Sequence, residues 1–169
     1  MVRSVNPNNP EEVRRGIQLM NARSNALQSE IENLGDQIAV LESLENEYEA
    51  VTDSNVTVGV PVYVEINGHI DIASADNVST RSVIGLVSVS ASATFVASYN
   101  TSGKITLSDW TLVTGSSSLS SGSVYFLSDT SPGTLTVSSP TLPGSSVVEI
   151  GVATSTTTLN IDVSSPILL

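Results

Sequence analysis

From Ile17 onward, apolar residues recur at alternating steps of three and four: Ile17, Met20, Leu27, Ile31, Leu34, Ile38 and Leu41, with Ser24 as a polar gap and Val13 extending the seam backwards. A mean spacing of about 3.5 keeps one narrow stripe in register with a partner helix and drives left-handed supercoiling. A lone helix would leave that stripe in water, and no second long helical pattern follows in the chain. The seam therefore predicts a parallel homo-oligomer. Taking Ile17 as position a places Ile17, Ser24, Ile31 and Ile38 at a, and Met20, Leu27, Leu34, Leu41 and Tyr48 at d. Glu45 breaks the pattern and Leu44 resumes it by a three-residue step, a local overwinding. The predicted interface is thus Val13, Ile17, Met20, Ser24, Leu27, Ile31, Leu34, Ile38, Leu41 and Tyr48. Ile at a with Leu at d leans towards two strands, and the e and g positions offer few ion pairs to select a partner.

The helix has a clear beginning. Asn9 is placed to cap it, Pro10 suits the first helical position, and Glu12 stands three residues after the cap as its reciprocal partner. Residues 1–8 read as an extended arm. The stalk is predicted over residues 9–52, about 60 Å of helix at roughly 1.5 Å per residue.

Beyond residue 55 the periodicity changes to 2, in a background of Ser, Thr, Val, Gly and Ile typical of short strands and tight turns. Strands are predicted over 57–66, 70–73, 83–89, 94–99, 104–113, 124–128, 134–137, 147–153 and 158–163. Asn67-Gly68 predicts a two-residue hairpin turn, and Ser131-Pro132-Gly133 a type II turn. The order Pro61-Val62-Tyr63, Gly68-His69-Ile70-Asp71-Ile72, Val83-Ile84-Gly85-Leu86 returns as Ser123-Val124-Tyr125, Gly133-Thr134-Leu135-Thr136-Val137, Glu149-Ile150-Gly151-Val152. We read two related β halves, 56–113 and 114–169, each too small to stand alone and sharing one core. That core should contain Tyr63, Ile84, Leu86, Val124, Tyr125, Leu135, Ile150 and Val152. The fold class is α+β: an N-terminal coiled-coil helix followed by a mainly antiparallel β barrel or sandwich with an internal duplication.

Charge narrows the function. A formal net charge of −11 opposes nucleic-acid binding, which requires a basic stripe along phosphates. Four of the six bases lie early, at Arg3, Arg14, Arg15 and Arg23, whereas eight acids and no base lie between Glu30 and Asp53. With no cysteine, no thiolate metal site or disulfide is available. No stretch is long and apolar enough to cross a membrane, and the first residues lack a signal-peptide core. The chain is expected to be made and assembled in a reducing cytoplasm.

Chemistry finds little footing. The single histidine, His69, has Glu65 and Asp71 nearby, yet a two-residue turn at Asn67-Gly68 would put Glu65 on the opposite face from both. Asp76 and Asp109 have nothing in the sequence to bring them together as a carboxylate pair. Trp110 fits half-buried packing better than a sugar-stacking platform. Neither an enzyme nor a cofactor is expected.

The run Gly103-Lys104-Ile105-Thr106-Leu107-Ser108-Asp109-Trp110, with Leu119-Ser120-Ser121-Gly122-Ser123-Val124-Tyr125-Phe126-Leu127-Ser128, Pro132-Gly133 and Val148-Glu149-Ile150-Gly151-Val152-Ala153-Thr154-Ser155, resembles a C-terminal β module of tailed-bacteriophage structural proteins. The module occurs in head decoration proteins and tail-fibre subunits. The resemblance covers about the last 70 residues. It implies a homotrimer with an axial helical bundle, where the seam alone leans to two strands. It further implies a capsid decoration or cement protein on the outer virion surface, binding the major capsid protein, with Arg3, Arg14 and Arg15 as capsid contacts. The alternative it implies is a short tail fibre or tail adaptor, with a host-surface carbohydrate as its ligand.

Overall fold

The computed structural model describes residues 9–44 and 46–169. It divides into a helical unit that ends at Glu45 and a β unit, Asn46–Leu169. Helix α1 spans Pro10–Leu44, 35 residues or about 52 Å. Its start follows the capping rules: the Glu11 N–H donates to Asn9 Oδ1 (3.1 Å) and the Val13 N–H to the Asn9 carbonyl (3.2 Å). Glu11 and Glu12 add negative charge to the first turn, where the helix dipole favours it.

The stalk helix predicted over 9–52 stops at Leu44. Residues Glu47–Val51 form strand β1 instead, antiparallel to β5 (Val96–Asn100) through five consecutive residue pairs. Tyr48 faces Tyr99, their rings stacked with centroids 5.8 Å apart, and Ala50 faces the buried Ala97. A ladder that satisfies backbone groups and stacks two aromatics outweighs a helical period already broken at Glu45. Tyr48 therefore leaves the predicted helical seam.

The first sheet has the order β1-β5-β4-β2-β3, with β2 at Pro61–Val64, β3 at Ile70–Ile72 and β4 at Val83–Val89. The second contains β6 (Ser102–Thr106), β7 (Val124–Leu127), β8 (Leu135–Thr136), β10 (Glu149–Ala153) and β11 (Thr158–Asp162), in the order β6-β11-β10-β7-β8. A two-stranded ribbon pairs β9 (Ser146–Val147) with β12 (Ile167–Leu168). All of these ladders are antiparallel. No barrel closes among the described residues. The edge strands β1 and β3 come together only at one isolated parallel bridge, Thr52 to Ile70.

The two sheets match strand for strand: β1 with β6, β2 with β7, β3 with β8, β4 with β10 and β5 with β11. The match extends to single residues. Gly85 on β4 and Gly151 on β10 each sit so close to the neighbouring strand that a Cβ would fall on a backbone oxygen, that of Asn100 in one sheet and Asn160 in the other. Leu86 faces Asn100, and Val152 likewise faces Asn160. The register corrects the alignment of the tyrosines. Val62 lies opposite Gly85 and Tyr125 opposite Gly151, so Tyr125 takes the place of Val62, and Phe126 that of Tyr63. The boundary between the sheets falls between Asn100 and Ser102 rather than at 113, because β6 pairs with β11.

One apolar cluster serves both sheets, as the small size of each half requires. Of the predicted core, Tyr63, Leu86, Tyr125, Leu135 and Ile150 are buried and Ile84 packs against the cluster half-exposed. Val124 and Val152 are half-buried and face each other across β7 and β10, outside the cluster. Backbone bonds stitch the halves: Gly133 N–H to the Ala73 carbonyl, Ala75 N–H to Ser128 and Ser146 N–H to Ala75.

The predicted strand at 104–113 ends at Thr106, and a short helix α2 (Thr111–Thr114) follows. The reason is Trp110. It is fully buried, its indole N–H donates to the Thr157 carbonyl (2.9 Å), and Gly59 of the other half leaves room for its ring. Burial removes Trp110 as a sugar-stacking surface.

Gly85→Ala is expected to cost about 3 kcal/mol, at the upper end of the range for overpacking, because the added methyl meets backbone that cannot rotate away. Gly68→Ala, whose position has open space, should cost less. Chemical denaturation of the two variants measures the contrast.

Candidate functional site

Two surfaces hold the residues singled out by sequence. The first is the stripe on α1. Val13 is 36% exposed, Ile17 47%, Met20 64%, Leu27 60%, Ile31 63% and Leu34 52%, and Ser24 is exposed among them. These residues recur at three- and four-residue steps, so helical geometry gathers them on one side. Leu19, 61% exposed, lies off the stripe, about 100° around the helix from Met20. The side chains of Ile38 and Leu41 fall outside the described residues, although both positions belong to α1. Arg14 and Arg15 are exposed on the first turns of the same helix, and Arg3 lies outside the described residues. Among the described residues the stripe is exposed along the helix from Val13 to Leu34.

The second surface is the β2–β3 hairpin, where the structure overturns the expected register. Tyr63 pairs with Asp71 and Val64 with Ile70, and the Glu65 N–H donates to the His69 carbonyl (2.8 Å). The loop therefore holds three residues, Ile66, Asn67 and Gly68. The Gly68 N–H donates back to the Glu65 carbonyl (3.0 Å) and Gly68 has φ 84°, the arrangement of a type I turn followed by a left-handed residue. One extra loop residue shifts the pairing by one and reverses which side chains share a face. Glu65 thus stands opposite His69, and Tyr63 opposite Asp71.

A polar network results. The Tyr63 hydroxyl donates to Glu65 Oε1 (2.8 Å). His69 Nδ1 lies 2.6 Å from Asp53 Oδ1, and Asn67 Nδ2 donates to Asp53 Oδ2 (3.2 Å). Asp53 lies two residues past β1, and its own N–H donates to the Ile70 carbonyl (3.1 Å), so the end of β1 is fastened to the hairpin through both side chain and backbone. The sequence placed Tyr63 only in the core and did not single out Asp53, whose place beside the hairpin depends on the course of the chain after β1. Hydrogen bonds from His69 and then Asn67 hold the Asp53 carboxyl below its ordinary range. Burial, with the adjoining Glu65 next in weight, pushes the Tyr63 phenol up to about 12. Among the described residues, no three acidic, histidine or cysteine side chains are placed to hold a metal ion.

The remaining carboxylates considered from sequence are used locally. Asp76 accepts from the Ser74 hydroxyl (2.5 Å), and Asp109 from the Thr111 N–H (2.9 Å) and hydroxyl (2.6 Å). Both are turn-forming contacts.

No family model matches the chain, and no curated protein matches it.

A lowered carboxyl pKa in the folded chain contributes stability above the unfolded value, which is lost as pH falls through the folded one. The stability difference between wild type and Asp53→Asn should accordingly narrow as pH drops below 3.8, as followed by melting temperature. Tyr63 behaves in the opposite sense: its contribution is present below 10.0 and lost as pH rises through about 12. Tyrosine absorbance should show late ionisation from Tyr63 and from Tyr99, the latter pushed up by burial, and Glu65→Gln should bring the Tyr63 part to lower pH.

Proposed function

We propose that this chain is a structural protein of a tailed-bacteriophage virion: a homotrimeric decoration or cement protein that binds the major capsid protein on the outer shell and stabilises the head. The observation that carries the reading is the stripe on α1, six apolar side chains between 36% and 64% exposed at coiled-coil spacing on a helix of 35 residues. Burying each such side chain contributes roughly 1.5–3 kcal/mol. A parallel bundle of α1 helices covers the stripe along its length, with Ser24 as the one polar layer. Three copies rather than two follow from the resemblance of residues 103–155 to the phage module.

In this assembly Arg3, Arg14 and Arg15 meet the shell, where a basic end complements an acidic capsid surface, while the acidic remainder faces solvent. Each trimer bridges neighbouring shell subunits and resists the outward pressure of packaged DNA. Coiled-coil assembly and virion attachment make separable demands on the chain, the first on the seam and the second on the arginines.

The mass in solution should be about three times the 17.6 kDa of one chain. Leu27→Asp with Ile31→Asp should reduce it to a single chain and lower the helical signal in circular dichroism, while the β unit still melts cooperatively. A wild-type monomer sinks the reading. Particles with many copies per head support decoration, and a handful per tail would move the protein to the fibre.

A further inference from the structure

Asn67 is the only asparagine in the chain followed by glycine, and the hairpin holds that pair exposed at its tip. Both ends of the Asn67 amide are engaged. Its Oδ1 accepts from the His69 N–H at 2.8 Å, and its Nδ2 donates to Asp53 Oδ2 at 3.2 Å. A backbone donor on the side-chain carbonyl draws electron density from Cγ, as such donors do wherever an acyl carbon is about to receive a nucleophile. The nucleophile is the next atom along the chain, the Gly68 nitrogen, so no association entropy opposes the encounter. Gly68 has no Cβ to hinder the approach, and the space around it is open. Other asparagines lack this combination. Asn77 has a similar side-chain contact, from the Ser79 N–H, but is followed by the branched Val78.

We propose that Asn67 is a self-modification site at which the chain converts its own amide into a carboxylate. The Gly68 nitrogen attacks Asn67 Cγ and forms the new C–N bond of a five-membered imide. The Cγ–Nδ2 bond breaks and ammonia leaves, carrying by way of solvent the proton that the Gly68 nitrogen gives up. Water then opens the ring at either carbonyl, leaving an aspartyl or an isoaspartyl residue at position 67. One water is consumed and one ammonia released; nothing is oxidised or reduced. The Gly68 N–H must first leave the Glu65 carbonyl, so opening of the hairpin tip sets the rate.

The product changes the network that fastens the end of β1. A carboxylate at 67 cannot donate to Asp53 and instead faces it as a like charge. The other titratable groups on this face are Tyr63, Glu65, His69 and Asp71, and His69 alone can carry a compensating positive charge. The isoaspartyl form also lengthens the backbone by one methylene inside a three-residue loop. Conversion therefore loosens the contact of Asp53 with the hairpin, once and irreversibly, at a place independent of the helical seam.

The test uses the full chain, incubated in mildly alkaline buffer at physiological temperature and analysed by peptide mass spectrometry at intervals. The expected result is progressive exchange of ammonia for water confined to Asn67, in both aspartyl and isoaspartyl forms. Asp53→Ala, which frees the tip, should speed it several-fold. Asn67→Asp stands in for the product and should melt below wild type at neutral pH, with the deficit shrinking as the carboxylates are protonated. An Asn67 that stays intact in the folded chain while the denatured chain converts would overturn the site. An Asn67→Asp variant as stable as wild type at neutral pH would overturn its effect on the contact.

Discussion

Val62, Ile70 and Leu86 from one sheet are fully buried in the same cluster as Leu127, Ile150 and Leu159 from the other, and the β unit depends on that common burial. Strands of two to seven residues cannot enclose a core within a single sheet. Each sheet becomes the cover of the other. Trp110, the largest buried side chain, belongs to the second half, yet its ring packs beside Gly59 of the first. The backbone bonds from Gly133 to Ala73 and from Ser146 to Ala75 run along the same junction. Loss of that junction would expose both halves together, so the unit should unfold as one.

The matching strand orders show how a short sequence pattern can specify a topology twice. Gly85 and Gly151 are the fixed points: each lets two strands pass closer than a side chain allows, and each is followed by a residue opposite an asparagine. The halves then diverge where they meet different neighbours. In the second, Ile105 and Leu159 face each other in the core; their counterparts in the first, Tyr48 and Tyr99, stack on each other, with Tyr48 half-exposed and Tyr99 partly buried against the cluster. The same scaffold thus spends one pair of positions on interior packing and its equivalent on an aromatic stack that runs from the core edge to the surface.

The helix presents the opposite problem. Its stripe of Ile, Leu, Met and Val is exposed among the described residues, and isolated helices draw little stability from propensity alone. The proposed trimer resolves this by supplying identical stripes. The polar network of Asp53, Asn67 and His69 sits elsewhere, on the β unit, and fastens the segment after β1 to the hairpin. Assembly through the helix and integrity of that fastening are therefore distinct properties of one chain.

Much of this was legible in the residues themselves. The capping sequence Asn9-Pro10-Glu11 fixed where α1 begins, the switch from a period near 3.5 to a period of 2 announced strands, and the repeated Ile-Gly motif disclosed matching halves. Local chemistry determined those features because caps, periods and glycines act over a few residues. Three features belonged to the tertiary structure alone. The fate of residues 47–51 turned on a partner strand some 50 residues away, which no local period reports. The hairpin register turned on whether the loop held two residues or three, a choice that Asn67-Gly68 permits either way and that pairing with β4 and the segment after β1 decides. The burial of Trp110 required a gap at Gly59 in the other half, because a large side chain is interior only where distant backbone leaves it space.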